Sequence, residues 1–303
     1  MSGEKGFVFG TQYFSIRDGA GIRTSVFLGG CPLKCVWCHN PEGAFMEASL
    51  AYAEARCVGC GRCAKACPGA HKINGEKHSL ERSSCVKCFR CVGECKAGAL
   101  EKIGGEVFAD ELVVKLLRDR RYYDTTGGGV TLTGGEPAVQ FEFAVRLLEI
   151  CKKEGLNTAV ETCGYMEKPK LDEFMRLTDT FLFDLKESDP ARHIEATGYG
   201  NELILSNMEY LFSRGARLIL RCPVIPGLND RDDHFGFIAG LTKRNPSCLG
   251  AEVMPYHRLG TAKCARFGLP APREFRVPGE AEVSGWIEKI KERGGRIVDY
   301  EKI

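Results

Sequence analysis

The sequence has no run of 18 apolar residues, and its first ten residues, MSGEKGFVFG, contain no apolar segment of signal-peptide length. The chain also has little net charge, because 42 Lys and Arg against 40 Asp and Glu leave a formal charge of +2. These two features exclude a membrane span and a nucleic-acid binder that depends on bulk positive charge. We therefore expect a soluble, cytoplasmic protein that binds neither membrane nor nucleic acid. Its 303 residues suggest two domains.

Cysteine, by contrast, is abundant and unevenly distributed: 11 of the 16 cysteines lie between Cys31 and Cys95. A small secreted protein held by disulfides would carry cysteines throughout, and a chain of this length buries enough surface to fold without them. In a reducing compartment, clustered thiols are more often metal ligands than cross-links. The pattern therefore predicts metal centres in this part of the chain.

The region around the later cysteines also differs in charge. Between residues 56 and 96 there are nine Lys and Arg and three Glu, a balance of +6, and few large apolar residues. Such a segment cannot build an ordinary hydrophobic core. We predict a small metal-held domain over 51–104, inserted into a larger domain formed by 1–50 and 105–303.

The larger domain is predicted to be α/β. Strands are predicted at 24–28, 130–133, 157–162, 180–185, 217–222, 250–255 and 296–299, and helices at 111–121, 139–154, 170–178, 201–213, 231–243 and 280–292. Asp110 is predicted to cap the first helix, and Asn229 or Asp230 the fifth; the stretch from 256 to 279 is predicted to be irregular. Strands that alternate with such helices are typical of a parallel sheet, wound or closed as a barrel, with its chemistry at the carboxyl ends of the strands.

One cysteine motif directly follows the first of these strands. Cys31, Cys35 and Cys38 form C-x3-C-x2-C on a glycine-rich loop. Three thiolates can bind three irons of one [4Fe–4S] cluster and leave the fourth iron open to a substrate, whereas an electron-transfer cluster has four cysteines. The motif therefore indicates a catalytic cluster. A zinc site with a distant fourth ligand, such as His39, is the alternative.

The other eight cysteines form two runs of C-x2-C-x2-C-x3-C, 28 residues apart. This is the spacing of two-cluster bacterial ferredoxins, in which the fourth cysteine of each run serves the other cluster. The assignment is Cys57, Cys60, Cys63 and Cys95 for cluster 2, and Cys85, Cys88, Cys91 and Cys67 for cluster 3. Two zinc knuckles are the alternative.

Taken together, the motifs resemble a known family. C-x3-C-x2-C resembles the signature of the radical S-adenosylmethionine enzymes, and the wider sequence resembles the activating enzymes of glycyl radical enzymes, relatives of pyruvate formate-lyase-activating enzyme. The resemblance rests on DGAGIRT (18–24), CHNPE (38–42), TGGEP (133–137), ETCG (161–164), DLK (184–186), RCPVIPG (221–227) and MPYH (254–257). Ala20 is a departure, because the family usually has Pro there.

The resemblance implies a partial (β/α)6 barrel with a ferredoxin-like insert. It implies three [4Fe–4S] clusters and S-adenosylmethionine, whose amino and carboxylate groups chelate the open iron. Reductive cleavage of its sulfonium bond gives a 5′-deoxyadenosyl radical, which takes a hydrogen atom from a Gly Cα of a partner glycyl radical enzyme. A flavodoxin or ferredoxin would donate the electron, and we expect the protein to be a monomer.

The resemblance also implies binding residues. Those implied for S-adenosylmethionine are Trp37, His39, Gly134, Gly135, Glu136, Asp184, Lys186, Arg221 and His257, and those for a monovalent cation are Glu161, Thr162 and Asp184. The two glycines would let the backbone approach the ligand, and Lys186 would pair with its carboxylate. A plain tight turn at 134–137, a structural Asp184–Lys186 ion pair and an ordinary polar strand end at His257 are the alternatives.

Five cysteines, Cys151, Cys163, Cys222, Cys248 and Cys264, are left without a predicted catalytic role. Two other functions stay open from the sequence. A radical enzyme that acts on a small molecule or peptide would share every cofactor residue. An iron–sulfur electron carrier would use the insert alone, but a carrier needs no open iron.

Overall fold

The fold comes from a computed structural model that describes residues 3–75 and 77–303. The strands are β1 (Lys5–Ser15), β2 (Arg23–Leu28), β3 (Ser49–Tyr52), β4 (His71–Asn74), β5 (Lys77–Leu80), β6 (Leu100–Ile103), β7 (Gly105–Phe108), β8 (Gly129–Gly134), β9 (Asn157–Thr162), β10 (Thr180–Asp184), β11 (Leu218–Val224) and β12 (Cys248–Pro255). The helices are α1 (Arg62–Ala66), α2 (Arg90–Glu94), α3 (Ala109–Leu116), α4 (Arg120–Thr126), α5 (Phe141–Lys153), α6 (Lys168–Leu177), α7 (Pro190–Thr197), α8 (Glu202–Ser213), α9 (Asp232–Arg244), α10 (Leu259–Phe267) and α11 (Glu280–Glu292).

A mostly parallel eight-stranded sheet forms the centre of the molecule, in the order β12-β11-β10-β9-β8-β2-β1-β7. The strands from β2 through β8 to β12 pair in parallel, whereas β1 is antiparallel to both β2 and β7. The predicted parallel α/β sheet is confirmed. Its parallel strands end at one edge, so the residues that follow β2, β8, β9, β10, β11 and β12 meet there.

The core lies between this sheet and the helices beside it. Leu132, Phe183 and Leu220 on the strands and Leu147 and Phe174 on the helices are fully buried. The strands are short continuous apolar runs because both of their faces are covered. Within the described residues, no helix is long and apolar enough to cross a membrane.

The cysteine-rich segment has its own small sheets. β3, near the start of the segment, pairs with β6, near its end. β4 and β5 form a hairpin between the two cysteine runs. A separate small cluster of buried side chains, built on Leu50, Cys91 and Leu100, replaces an ordinary core.

Two local predictions, which concern the caps of two helices, are wrong. Asp110 does not cap α3, because its carboxylate bonds to Arg146 at 2.8 Å from within the first turn. Asn229 does not cap α9, because its amide donates to the carbonyls of Lys186 and Pro223. Asp230 instead accepts a bond from the Gly227 N–H.

Other elements differ from the prediction because the sequence signals are weak. The stretch predicted to be irregular contains α10, and α7 was not predicted. The strand predicted at 296–299 is reduced to one bridge between Ile297 and Ala251. The helix predicted at 280–292 is confirmed with the same bounds.

Candidate active site

The loop that carries Cys31, Cys35 and Cys38 begins directly after β2, at the carboxyl edge of the sheet. Its backbone is held by α7, since the Lys34 N–H donates to the Thr197 carbonyl at 2.8 Å and the Val36 N–H to the Ala196 carbonyl at 3.0 Å. These carbonyls belong to the last turn of α7, where no helical partner is available. The helix α7, which the sequence did not predict, therefore fixes the cysteine loop.

Burial affects the protonation of two thiols in this loop. Burial raises the pKa of Cys31 to about 12 and that of Cys35 to about 11, so without a metal both thiols keep their protons at neutral pH. Iron would bind these sulfurs as thiolates, so its binding would displace the protons.

The spacing of the thiols also bears on which metal they suit. In the part of the chain that the structure describes, three Cys, His, Asp or Glu ligand atoms lie within 4.8 Å of one another only at Cys63, His71 and His78. A tetrahedral zinc site would hold its sulfurs about 3.8 Å apart. Cys31, Cys35 and Cys38 do not form such a group.

The glycines of TGGEP pack against this loop. A Cβ on Gly135 would lie 2.1 Å from the Gly30 carbonyl oxygen and 2.6 Å from that of Gly43. Gly134 has φ +112, a backbone conformation that favours glycine. Close packing of the cysteine loop on the end of β8 is therefore one structural reason for these glycines.

Glu136 joins the ends of β8 and β9. Its buried carboxylate accepts bonds from the Thr162 hydroxyl at 2.9 Å and from the Cys163 N–H at 2.8 Å, and burial raises its pKa. The Thr162 hydroxyl in turn accepts the Gly164 N–H at 2.9 Å. Glu136 and Thr162 thus hold each other in place at the ends of the two strands.

Asp184 and Lys186 form an ion pair at the end of β10, with 2.9 Å between Oδ2 and Nζ. Their side chains are only 18% and 14% exposed. Burial alone would lower the pKa of Lys186, but Asp184 and the nearby Cys35 raise it well above its ordinary value. Lys186 is therefore a fixed positive charge beside the cysteine loop.

Arg221, at the neighbouring position of β11, is almost fully buried among three carboxylates. Its guanidinium lies 3.1 Å from Asp18, 3.2 Å from Glu161 and 3.4 Å from Glu252. Burial raises the pKa of Glu161 to about 7, against the opposing effect of Arg221. Since one cation cannot neutralise three carboxylates, this corner favours a positively charged ligand.

Sequence reasoning assigned no role to two members of this network. Asp18 lies in the DGAGIRT loop, and its second oxygen accepts bonds from the Ser15 and Ser25 hydroxyls at 2.6 and 2.5 Å. Glu252 accepts the Tyr300 hydroxyl at 2.8 Å. The predicted Arg221 could have pointed to them, because a buried guanidinium requires acidic partners.

The remaining predicted binding residues lie on the same side. Trp37 is buried in a small apolar cluster with Ala196 and Ile225, which is a packing role. His39 and His257 are exposed and meet edge to face with 5.3 Å between ring centroids. The end of β12 is therefore adjacent to the cysteine loop.

Cysteines of the two runs of the insert lie near one another. One cavity is lined by Cys57, Cys60 and Cys63 of the first run together with Cys95 of the second. Cys91 lies near Cys85, Cys88 and Cys67. Burial and these neighbouring thiols raise the pKa of Cys91 to about 11.

The helix α10 links the insert to the cysteine loop. Gly260 is packed so closely that a Cβ would lie 2.2 Å from the Cys38 carbonyl oxygen. At the other end of α10, the Arg266 carbonyl accepts a bond from the Arg82 guanidinium at 2.6 Å. The side chain of Arg266 forms an ion pair with Glu101.

The five cysteines left over are all buried: Cys151, Cys163, Cys222, Cys248 and Cys264. Cys163 lies beside Glu136, and Cys264 lies on α10 close to Cys38. Burial raises the pKa of each thiol, which makes them inert rather than nucleophilic.

A parallel α/β sheet whose first parallel strand leads into a C-x3-C-x2-C loop defines a radical S-adenosylmethionine enzyme. The model of the Radical SAM superfamily matches residues 25–238, so the chain belongs to that superfamily. A solved structure, Streptococcus suis SuiB bound to the precursor peptide SuiA, is 12% identical, with a TM-score of 0.52 over 88% of this chain and 45% of that one, and shares the fold.

Two relatives narrow the family. The choline trimethylamine-lyase activating enzyme of Oleidesulfovibrio alaskensis is 40% identical over 281 residues, which cover 90% of this chain and 91% of the relative. The (2S)-3-sulfopropanediol sulfolyase activating enzyme of Bilophila wadsworthia is 42% identical over 293 residues, or 95% of each chain. The protein is therefore a member of the glycyl-radical-enzyme activating enzymes, and the resemblance seen in the sequence is confirmed.

Proposed function

We propose that this enzyme activates a glycyl radical enzyme through a [4Fe–4S] cluster held by Cys31, Cys35 and Cys38, with S-adenosylmethionine on the open iron. The observation that carries the proposal is the position of the three-cysteine loop beside the buried cation of Lys186 at the carboxyl edge of the sheet. When bound, the cluster and S-adenosylmethionine supply a 5′-deoxyadenosyl radical that can take a hydrogen atom from a Gly Cα.

In this proposal the chain's own groups bind and orient the cofactor. Lys186 pairs with the methionine carboxylate, and the backbone at Gly134 and Gly135 accepts its ammonium group. Arg221 and His257 lie near the ribose or adenine, with Trp37 packed behind the cysteine loop and His39 beside it. The surplus of carboxylates around Arg221 favours the sulfonium charge.

A monovalent cation is a further part of the proposal. Its ligands would be Asp184, Glu161 and Thr162, which end neighbouring strands. Each of these side chains already has a partner in the structure, and their remaining oxygen lone pairs would bind the cation.

We further propose that residues 1–50 and 105–303 form a partial (β/α)6 barrel from β2 and β8 to β12. Residues 51–104 are then a ferredoxin-like domain that holds clusters 2 and 3, which gives three clusters in all. The shared cavity of Cys57, Cys60, Cys63 and Cys95 supports crossed ligation. The physiological donor would be a flavodoxin or ferredoxin, and the working unit a monomer.

Iron content and cofactor cleavage test the site. The reconstituted protein should hold about 12 Fe, and the double variant Cys35→Ala, Cys38→Ala about 8 Fe with no cleavage of S-adenosylmethionine. The matched control is Cys151→Ala, which lies in the main core and should keep all the iron and full cleavage. Retained cleavage in the double variant would show that the active cluster lies elsewhere.

The partner is tested by electron paramagnetic resonance. A choline trimethylamine-lyase and a (2S)-3-sulfopropanediol sulfolyase are the first candidates, because relatives of this chain carry those names. A glycyl radical signal should appear in a cognate partner and be absent when its radical glycine is replaced by alanine. A different result would be cleavage of the cofactor with no radical in any glycyl radical enzyme whose gene neighbours the gene of this protein. That result would favour a small-molecule or peptide substrate.

A further inference from the structure

Two histidines of the insert form a buried pair outside the cysteine runs. They lie on the inward face of the β4–β5 hairpin, while Lys72 and Ser79 between them point outward and are exposed. His71 Nδ1 and His78 Nε2 are 2.9 Å apart, and the rings are stacked with 5.1 Å between centroids. A short contact of this kind requires one proton between the two nitrogens.

The outer nitrogens of the pair are unusual. His71 Nε2 and His78 Nδ1 are both buried and have no hydrogen-bond partner among the described residues. In a neutral pair, the ring that accepts the inner proton must carry its own proton on its outer nitrogen. If the pair is protonated, both outer nitrogens carry one. At least one unpartnered N–H is therefore present in either state, and a buried donor is costly unless it finds an acceptor.

A thiol sulfur lies near the pair, although the outer nitrogens make no bond to it in the structure. The Cys63 sulfur and one ring nitrogen each of His71 and His78 lie within 4.8 Å of one another. His78 also lines the cavity that is bordered by Cys57, Cys60, Cys63 and Cys95. Those four cysteines already complete the ligand set proposed for cluster 2, so the histidines are neighbours of the cluster rather than ligands.

We propose that the His71–His78 pair donates a hydrogen bond to the Cys63 thiolate of cluster 2 and thereby raises the reduction potential of that cluster. The inference rests on the proposed function, since it requires the two clusters of the insert. Hydrogen bonds to cluster sulfurs favour the reduced state, which carries more negative charge. His78 is a positioning and tuning residue, with His71 fixing its tautomer. Cluster 3 has no such pair among the described residues, so the two clusters of the insert would differ in potential.

The test is a redox titration followed by electron paramagnetic resonance on the full chain. The Cys35→Ala, Cys38→Ala background removes the signal of the first cluster, and iron and zinc are counted in every sample. His78→Ala should move one of the two insert signals to lower potential by about tenfold in the one-electron equilibrium, or 59 mV. His78→Asn keeps an N–H near the Nδ1 position and should recover most of the shift. Ser79→Ala, an exposed change on the same strand, should leave both signals unmoved.

A second measurement covers the case in which His78→Ala loses iron. With 15N-labelled histidine, the reduced wild-type cluster 2 should show a coupled histidine nitrogen, which the backbone N–H groups that bond to Cys63 cannot supply. Unchanged potentials in His78→Ala, or no coupled histidine nitrogen in the wild type, would overturn the inference. About one zinc per chain that disappears with either histidine would overturn it as well, by making the pair a metal ligand. An iron count near zero in this background would instead overturn the proposed clusters of the insert, which the iron assay distinguishes from an unshifted potential.

Discussion

Arg221 Nη1 donates to Asp18 Oδ1 at 3.1 Å, although the two residues are 203 positions apart in the sequence. This bond joins the loop after β1 to the middle of β11. Because Glu161 and Glu252 share the same guanidinium, Arg221 is the common counter-charge for carboxylates from three other parts of the chain.

The first prediction is that Arg221→Gln destabilises the fold. The change leaves three carboxylates close together without a cation, and loss of one partner from a buried ionic network costs about 3–5 kcal/mol. Urea denaturation of the metal-free protein measures the free energy of unfolding. Arg176→Gln is the control, because Arg176 pairs with Glu149 and Glu173 on the exposed surface and should change stability by less than about 1 kcal/mol. Equal losses in the free energy of unfolding would show that the buried network stabilises the fold no more than a surface ion pair does.

The second prediction concerns protons released when S-adenosylmethionine binds. The pKa of Glu161 is raised by burial to about 7, so between pH 4.5 and 7 its carboxyl group is largely protonated. A sulfonium nearby favours the ionised form, which lowers that pKa and releases a proton. Calorimetry at pH 6.5 in buffers of different ionisation enthalpy should find about 0.5–0.8 proton released, and almost none at pH 8.5.

Glu161→Gln provides the check on this assignment. The variant cannot titrate at this position, so binding at pH 6.5 should become nearly independent of the buffer. If the variant releases as many protons as the wild type, the titrating group is another residue.

Much of this site could be predicted from the sequence because the strands are short apolar runs and the reactive residues follow them. Asp184 ends β10 and lies beside Arg221 of the neighbouring strand β11, and this proximity followed from the parallel sheet. The partners of Arg221 could not be predicted in the same way. Asp18 lies in a loop, and nothing local indicates that it reaches β11.

The side chains that were predicted for one role and found in another show a second limit. Asn229 is a residue type that often caps helices, but its hydrogen bonds to two distant backbone carbonyls outweigh that local preference. The α10 helix was missed because Gly260 weakens the helical signal. That glycine is required by contact with Cys38, which no local pattern reveals.

The third prediction follows from that contact. Gly260→Ala places a methyl group 2.2 Å from the Cys38 carbonyl oxygen, so α10 or the cysteine loop must move. A displacement near 1 Å at a reacting centre costs about 10- to 100-fold in rate, and we expect that loss in S-adenosylmethionine cleavage. Gly285→Ala in α11 has nothing within 4 Å of the new methyl group and should keep full cleavage while slightly stabilising its helix. Normal cleavage by Gly260→Ala would show that the loop tolerates movement.

The last prediction concerns the direction of electron flow. Arg82 lies beside Cys85, a ligand of the proposed cluster 3, and donates to the Arg266 carbonyl, and α10 then reaches Cys38. The insert therefore contacts the cysteine loop through one helix. Clusters with four thiolates have no open iron, so clusters 2 and 3 can pass electrons or hold shape, but they cannot bind S-adenosylmethionine. We expect them to relay electrons from an external donor to the first cluster.

The charge of the insert supports the same direction. Two oxidised four-thiolate clusters, each carrying about −2, reduce the balance of +6 between residues 56 and 96 to about +2. The surface stays basic, and small acidic flavoproteins or ferredoxins would be steered to it in a salt-dependent way. Activation by a protein donor should therefore weaken as ionic strength rises, whereas a small chemical reductant should be much less affected.

Replacement of Cys60 and Cys88 together separates relay from scaffolding. If the insert relays electrons, the double variant should fail with a protein donor but still cleave S-adenosylmethionine with a small chemical reductant, because the first cluster is intact. Cys151→Ala, buried in the main core, should work with both reductants. If the double variant works equally well with both and only its affinity for the partner enzyme falls, the insert is a scaffold and the relay is wrong. Circular dichroism of the variant identifies unfolding, and single replacement of Cys60 or Cys88 then repeats the comparison in a less damaged chain.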